Sequence, residues 1–260
     1  MPMRPVISLL NRAAAAAAGM AASLSLAVSS PAVAETHPFS VHDMVAMERL
    51  GDPIPSPDGL WAAFTRRTWD EAANKNTTSL WLAALDGSSV RRLTSAPRVT
   101  DASPTWSPDS RFIAFTSTRG GSSQIWSIAI DGGEATPIAT LPIDVDNLAW
   151  SPDGGRLAFT ADVYPDCPDL GCTAKRDDEK AASPVKARTF THLMIRHWDT
   201  WFDGKRGHIF TLPLRTGAFP AAAGDPVDLL KGLDFDAPTK PFGGTEEFAW
   251  SPDGKEMAFT

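Results

Sequence analysis

The chain has 260 residues, with 31 acidic against 24 basic side chains and a formal net charge of −7. That balance argues against nucleic acid as a partner, since neutralising phosphates needs clustered Lys and Arg. An acidic surface that favours solubility accounts for it.

At the N-terminus, Arg4 and Arg12 form a basic region ahead of a small-residue apolar run from Ala13 to Leu26, and Ala32-Val33-Ala34 precedes Glu35. This is the pattern of a secretory signal peptide over residues 1–34. The apolar run is short and gives way to Ser29, Ser30 and Pro31, whereas a membrane span needs about 20 continuous apolar residues. Removal is therefore expected rather than retention, leaving an exported protein, periplasmic or secreted, with no stable membrane anchor. Removal also takes away two arginines and no acid, which leaves 22 basic and 31 acidic residues and a net charge of −9.

Residues 35–52 read as a lead-in. Ser40-Val41-His42-Asp43 has the form of a capping box, with Met44, Val45 and Leu50 extending a short helix and Gly51 as its stop. From residue 53 onward a repeat dominates. Ser56-Pro57-Asp58-Gly59, Ser107-Pro108-Asp109-Ser110, Ser151-Pro152-Asp153-Gly154 and Ser251-Pro252-Asp253-Gly254 each lead into an apolar segment ending Phe-Thr, the last at Phe259-Thr260. Proline sets φ for a turn, aspartate hydrogen-bonds its own backbone and glycine accepts positive φ. Apolar, aromatic and β-branched residues on both sides predict a strand pair around each turn. Thr105-Trp106, for example, ends one strand and Arg111 to Thr116 forms the next.

A second element follows each hairpin: Leu80 to Leu85 before Asp86-Gly87, Ile125 to Ile130 before Asp131-Gly132, and a weaker copy, Ile209 to Leu214, running on to Gly217. Asp-Gly after a strand is a strong hairpin signal, and brief segments at Val90–Leu93 and Ala135–Ile138 supply a fourth strand. Four-stranded units repeating at 51 and 44 residues are the spacing of propeller blades. The expected fold is all-β: a partial β-propeller of about three four-stranded blades plus the opening hairpin of a fourth, over residues 53–260. A closed propeller joins its last blade to its first, so a chain stopping mid-blade is expected to be part of a longer protein.

The third interval is 100 residues, and it holds one copy of the second element. An insertion at about 161–207 explains it. Cys167 and Cys172 lie inside it, in Asp166-Cys167-Pro168-Asp169-Leu170-Gly171-Cys172. In an oxidising compartment such a pair is expected as a disulfide loop, and no second Cys or His pair stands in register for a structural zinc. Further on comes Arg196-His197-Trp198-Asp199-Thr200-Trp201-Phe202-Asp203. Elaborated loops on a rigid scaffold carry binding function, which marks His197, Trp198, Asp199, Trp201 and Asp203 as substrate-binding candidates. In that reading the tryptophans pack on a ligand and an aspartate pairs with a cationic group. The alternative is that the aromatics bury the insertion against its own blade and the acids are solvated.

No catalytic motif is present in the sequence. Gly87-Ser88-Ser89 and Gly121-Ser122-Ser123 lack the Gly-x-Ser-x-Gly form of a nucleophile elbow and fall in hairpin loops. No Gly-rich phosphate loop or His-Glu-x-x-His occurs, so neither cofactor nor metal is expected.

The Trp-Ser-Pro-Asp-Gly…Ala-Phe-Thr blades resemble the propeller of the prolyl oligopeptidase family of serine peptidases. The segments Asp162–Cys172 and Lys186-Ala187-Arg188…Arg196-His197-Trp198-Asp199-Thr200-Trp201 are similar to exported bacterial members of its dipeptidyl-peptidase and acylaminoacyl-peptidase branch. The resemblance covers residues 40–260. It implies a propeller followed by an α/β-hydrolase domain with a Ser-Asp-His triad, restricting access to peptides and positioning their free N-terminus with acidic side chains. No triad residue falls within this sequence, so the resemblance implies a peptide substrate for the full-length protein, a missing hydrolase domain and an inactive chain by itself. The blade motif is shared with Tol-associated propellers, which leaves a non-enzymatic protein-binding module as the alternative. An enzyme working in its central channel is a third, weaker reading, with no ligand constellation behind it.

Overall fold

The computed structural model describes residues 37–260 except 192, 194, 216 and 218; the signal-peptide segment 1–34 lies outside the described residues. Residues 40–260 form one compact unit, which carries every element below.

Helix α1, Val41–Ala46, opens with the capping box: Ser40 Oγ accepts from Asp43 N at 3.3 Å, and Asp43 Oδ2 accepts from Ser40 N at 2.7 Å. It stops earlier than the sequence pattern suggests. Met47 is extended, and Leu50 and Gly51 lie in β1, Arg49–Pro55, paired with Arg66 and Thr65 of β2, Trp61–Asp70. Sheet pairing has overridden the helical pattern. Gly51 serves close approach, since a Cβ there would meet Thr65 Oγ1 at 3.1 Å.

Strands β1 and β2 continue into β3, Lys75–Ala84, and β4, Val90–Arg92, as one antiparallel meander. The second blade repeats it with β5 (Asp101–Trp106), β6 (Phe112–Ser117), β7 (Gln124–Ala129) and β8 (Thr136–Ala139). The third runs β9 (Asp146–Trp150) to β10 (Arg156–Val163) and then leaves the sheet for α2 (Leu170–Ala182), β11 (Arg196–His197) and β12 (Thr200–Trp201). It returns as β13 (Arg206–Arg215), which pairs with β10 from Arg156↔Pro213 to Val163↔Arg206. The outer edge of this blade is broken into β14 (Ala221–Ala222) and β15 (Val227–Asp228). A last hairpin joins β16 (Phe248–Trp250) to β17 (Met257–Phe259). Three blades and the first hairpin of a fourth result, a propeller-type all-β fold.

The repeated turn has one geometry throughout. The serine hydroxyl donates to the aspartate two residues on: Ser56 to Asp58 at 2.5 Å, Ser107 to Asp109, Ser151 to Asp153 and Ser251 to Asp253 at 2.6 Å. The same oxygen accepts the N–H of Trp61, Phe112, Arg156 or Glu256 at 2.9–3.0 Å. The aspartate in turn accepts from Leu60, Arg111, Gly155 or Lys255. Gly59, Gly154 and Gly254 adopt φ between +68° and +73°, and Ser110 takes the same place at +58°. A serine there is strained relative to glycine, but its hydroxyl accepts Asp58 N–H at 3.1 Å and so ties adjacent blades together.

Tryptophans extend that tie. Trp106 Nε1 donates to Ile54 O at 3.0 Å, and Trp250 Nε1 donates to Ala149 O at 3.1 Å, each reaching the first strand of the preceding blade. Trp150 departs from the pattern and donates within its own turn, to Gly154 O. Between blades the faces close on apolar clusters: Leu80, Leu82, Ile113 and Phe115 in one, and Ile125, Leu157, Phe159 and Phe210 in the next. Phe159 stacks on Phe210 at 5.3 Å with an interplanar angle of 11°. Full burial of such side chains is worth about 1.5–3 kcal/mol each.

Two expectations follow. Ser107 is almost fully buried, so Ser107→Ala leaves the Phe112 N–H without its partner and should lower stability by about 1–3 kcal/mol; Ser88→Ala in an exposed hairpin should stay within about 0.5 kcal/mol. Urea denaturation of both variants checks this, and equal midpoints would refute it. The second concerns acid. Ser151 hydroxyl first, then Gly155 N–H, hold the Asp153 carboxyl below its ordinary value, and the other turn aspartates shift the same way. A depressed folded-state pKa stabilises fully above the unfolded value of about 4 and is lost as pH falls through the folded one. The melting temperature should therefore drop as pH falls below about 4, with a shallower decline in Ser151→Ala, measured by circular dichroism.

Candidate functional site

The third blade surrenders its chain to the insertion at Tyr164 and recovers it at Lys205, at the end of the strands opposite the Ser-Pro-Asp turns. Cys167 and Cys172 are disulfide-bonded there. Asp169 Oδ1 accepts Cys172 N–H at 2.8 Å and caps α2, as an acceptor at a helix start should. The helix buries only Leu170 and Thr173, so it is held mainly by polar contacts centred on Tyr164.

Tyr164 is buried. Its hydroxyl donates to Asp177 Oδ1 and accepts from Lys180 Nζ, both at 2.8 Å. Arg176 and Lys180 lie over its ring at 4.4 and 4.5 Å, within cation–π range. Burial, then the hydrogen bond to Asp177, push the phenol well above its ordinary value. Lys180 Nζ also reaches Asp203 O at 2.9 Å, and Lys205 Nζ bridges Asp177 at 3.1 Å and Asp203 at 3.4 Å. Burial opposes the Asp203 charge, but the Lys205 N–H and ammonium outweigh it and hold the carboxyl below its usual value.

Beside this knot a cleft of about 650 Å³ opens between the second and third blades. Asp146 and Asn147 of β9 and Thr160 to Asp162 of β10 line one part, Asp177 and Asp178 of α2 another, and Pro238, Lys240, Pro241 and Gly243 the far lip. Asn147 adopts φ +53° at a bulge between β9 and β10, and Asp52 and Ser103 sit at matching bulges in the other blades at +52° and +49°. Five aspartates and two lysines line the cleft. Both lysines are already paired, Lys205 as above and Lys240 with Asp162 at 2.8 Å. Asp144 accepts Ser123 N–H at 2.7 Å, and Asp146 accepts Asn147 N–H at 2.8 Å. The exposed Asp178 carboxylate makes no hydrogen bond or ion pair among the described residues. The net result is a negative concavity suited to a cation such as a protonated amine. Ser122 and Ser123 reach the cleft, but no histidine lines it.

The five residues marked from sequence fall elsewhere in the insertion. Trp198 and Asp199 form the turn between β11 and β12, with Trp198 75% exposed and against Phe242 at 5.1 Å. His197 lies 6.3 Å from Phe242. Trp201 stacks on Phe190 at 5.8 Å under Arg196 at 5.1 Å. Asp199 accepts a 3.4 Å bond from Thr200 Oγ1 and lies outside the cleft, whereas Asp203 lines a second cavity of about 520 Å³ with Phe190 and Phe202. The cleft acids escape sequence reasoning because they come from three separated segments; the Asp144-Val145-Asp146 and Asp177-Asp178 runs are their only local signal. Among the described residues, no group of three His, Cys, Asp or Glu could hold a metal ion. Nor is any helix among them long and apolar enough to cross a membrane.

Residues 46–165 match the family model described as a TolB beta propeller domain. Over those residues the chain is similar to a TolB-type β-propeller. The chain is 32% identical over 216 residues to dipeptidyl-peptidase 5 of Porphyromonas endodontalis, covering 83% of this chain and 30% of that protein. Dipeptidyl-peptidase 5 of Porphyromonas gingivalis is 31% identical over 215 residues, with the same coverage. Among solved structures, the acylaminoacyl peptidase of Pyrococcus horikoshii aligns with a TM-score of 0.49 at 14% identity, over 71% of this chain and 26% of that one. The chain is homologous to part of dipeptidyl-peptidase 5 and spans about 30% of the length of those curated relatives.

Tyr164→Phe removes the hydroxyl that Asp177 and Lys180 share. Local opening should become easier by about 1–2 kcal/mol, read as faster amide exchange over Leu170–Ala182 with β2 and β6 unchanged. Unchanged exchange in α2 would show that the hydroxyl does not hold the helix.

Proposed function

We propose that this chain is the propeller part of an exported serine-type dipeptidyl peptidase, where it restricts access to oligopeptides and holds their free N-terminus against the acidic cleft. One observation carries the reading. A 216-residue match within 260 residues must take in the whole excursion between β10 and β13, wherever the match begins. Similarity to a peptidase thus extends over the elaboration that builds one wall of the cleft, while the general propeller model ends at residue 165. The cleft suits the role chemically: its acids exceed its bases, its lysines are paired, and the Asp178 carboxylate is left to meet an ammonium group. Nucleophile, base and oxyanion hole belong, on this reading, to a hydrolase domain outside these residues. The N-terminal pattern and the Cys167–Cys172 disulfide support an oxidising, extracytoplasmic location, periplasmic or secreted.

The TolB match over 46–165 favours a second reading, a periplasmic propeller that binds other proteins. Activity separates the two. The purified chain should release no chromophore from dipeptidyl substrates, and a protein extending it through the downstream reading frame should do so in a manner blocked by a serine-directed phosphonate. Phosphonate-sensitive turnover by this chain alone would place the nucleophile here and overturn the proposal. Absence of any Gly-x-Ser-x-Gly downstream would hand the case to the binding module. Within the extended protein, Asp178→Asn should raise KM about 3–10-fold, as loss of roughly 1 kcal/mol of partly exposed charge pairing implies. Its kcat should stay within about twofold, and Asp86→Asn in the first blade should change neither constant.

A further inference from the structure

Strands β11 and β12 are joined by a two-residue turn, Trp198-Asp199, closed by the pair His197↔Thr200. Trp198 has φ +49°, a region that favours Gly, Asn and Asp in such turns and disfavours bulky side chains. Burial does not explain the choice, since Trp198 is 75% exposed. A bulky residue held in a strained conformation with its ring in solvent is a reason to look for a ligand. The ring meets Phe242, itself 69% exposed, edge to face at 5.1 Å, with His197 alongside.

Phe242 is not a random neighbour. It stands between Pro241 and Gly243, both of which line the acidic cleft. Two mostly bare aromatic rings, from separate segments of the chain, therefore meet at the lip of a concavity whose charge suits a cation. Large exposed aromatic surface beside a polar cleft marks a recognition surface.

We propose that Trp198 and Phe242 form a shelf for the apolar side chain of a peptide's first residue, whose α-ammonium sits in the cleft. The inference rests on the peptide reading above and adds a specificity to it: peptides beginning with a large apolar residue are preferred over those beginning with glycine. The occupant follows from the joined chemistry of the two surfaces. An ammonium and a side chain on the same Cα present a cation and an apolar group side by side, the two chemistries that the cleft and the aromatic pair at its lip offer.

The test measures binding of three probes to the purified chain by titration calorimetry: Phe-Ala-amide, Gly-Ala-amide and N-acetyl-Phe-Ala-amide. Phe-Ala-amide should bind about fivefold more tightly than Gly-Ala-amide, as one aromatic contact predicts, and the acetylated probe should not bind. Trp198→Asn removes the ring while suiting the turn, so the hairpin is kept; it should erase the Phe-over-Gly preference and leave Gly-Ala-amide binding unchanged. Phe242→Ala should have the same effect. Equal binding of the Phe and Gly probes, with acetylation still abolishing both, would overturn the shelf and leave the N-terminus reading intact. If acetylation has no effect but the preference persists and is lost in Trp198→Asn, the N-terminus reading fails and the shelf survives. No binding of any probe at millimolar concentration overturns both.

Discussion

Each inner hairpin of this propeller closes on a single serine hydroxyl. It donates to the aspartate two residues on and accepts the first N–H of the following strand, so donor and acceptor are both satisfied inside a turn that is buried at Ser56, Ser107 and Ser151. A hydroxyl used in both directions leaves no polar atom unpaired where water has little access. It also fixes the separation and direction of the first two strands, and that fixes which faces the next blade must cover. Trp106 and Trp250 then reach back to a carbonyl of the blade before, and Ser110 takes the Asp58 N–H. Local turn chemistry is in this way converted into blade-to-blade spacing, on which the apolar clusters depend.

One end of the blades is committed to these turns and varies little. The other end carries the bulges, the excursion between β10 and β13, and the acidic cleft. A bulge with a left-handed residue at Asp52, Ser103 and Asn147 twists each first strand away from its partner. In the third blade that same deviation brings Asp146 and Asn147 to the cleft. Rigid turns at one end and variable, acid-bearing loops at the other are the arrangement in which a scaffold presents a binding surface.

Features set within a few residues were legible in the sequence. The Pro-Asp-Gly turns, the strands they join and the capping box at Ser40 all depend on local backbone preferences. Legibility failed where partners lie far apart. Leu50 continues a helical pattern and Gly51 reads as its stop, yet pairing with Arg66 and Thr65 takes both into a strand. The excursion was expected at 161–207, but Ala161 and Val163 are buried strand residues and pairing persists to Val163↔Arg206. The serine's part in the turn was also missed, because proline, aspartate and glycine alone accounted for the turn. The cleft as a unit has no pattern in the sequence: its acids come from β9 and the residues just before it, β10 and α2, and no periodicity relates them.

The excursion differs from the blades in what holds it. The blades bury continuous apolar faces, whereas α2 buries Leu170 and Thr173 and depends on Tyr164, Asp177, Lys180, Asp203 and Lys205 for its seat. Hydrogen bonds of this kind exchange with water and contribute about 1 kcal/mol each, and the Lys205 pairs are half-exposed, so solvent screening weakens them further. The wall that carries Asp178 is therefore held less firmly than the floor that carries Asp146. The disulfide and the Asp169 cap restrain the first turn of that helix, and the acid-bearing later turns rest on the exposed Arg176–Asp166 ion pair and the Tyr164 network. A cleft with a fixed floor and a yielding wall can admit groups of different size while the Asp146 charge on its floor stays in place, a property that a close-packed blade cannot supply.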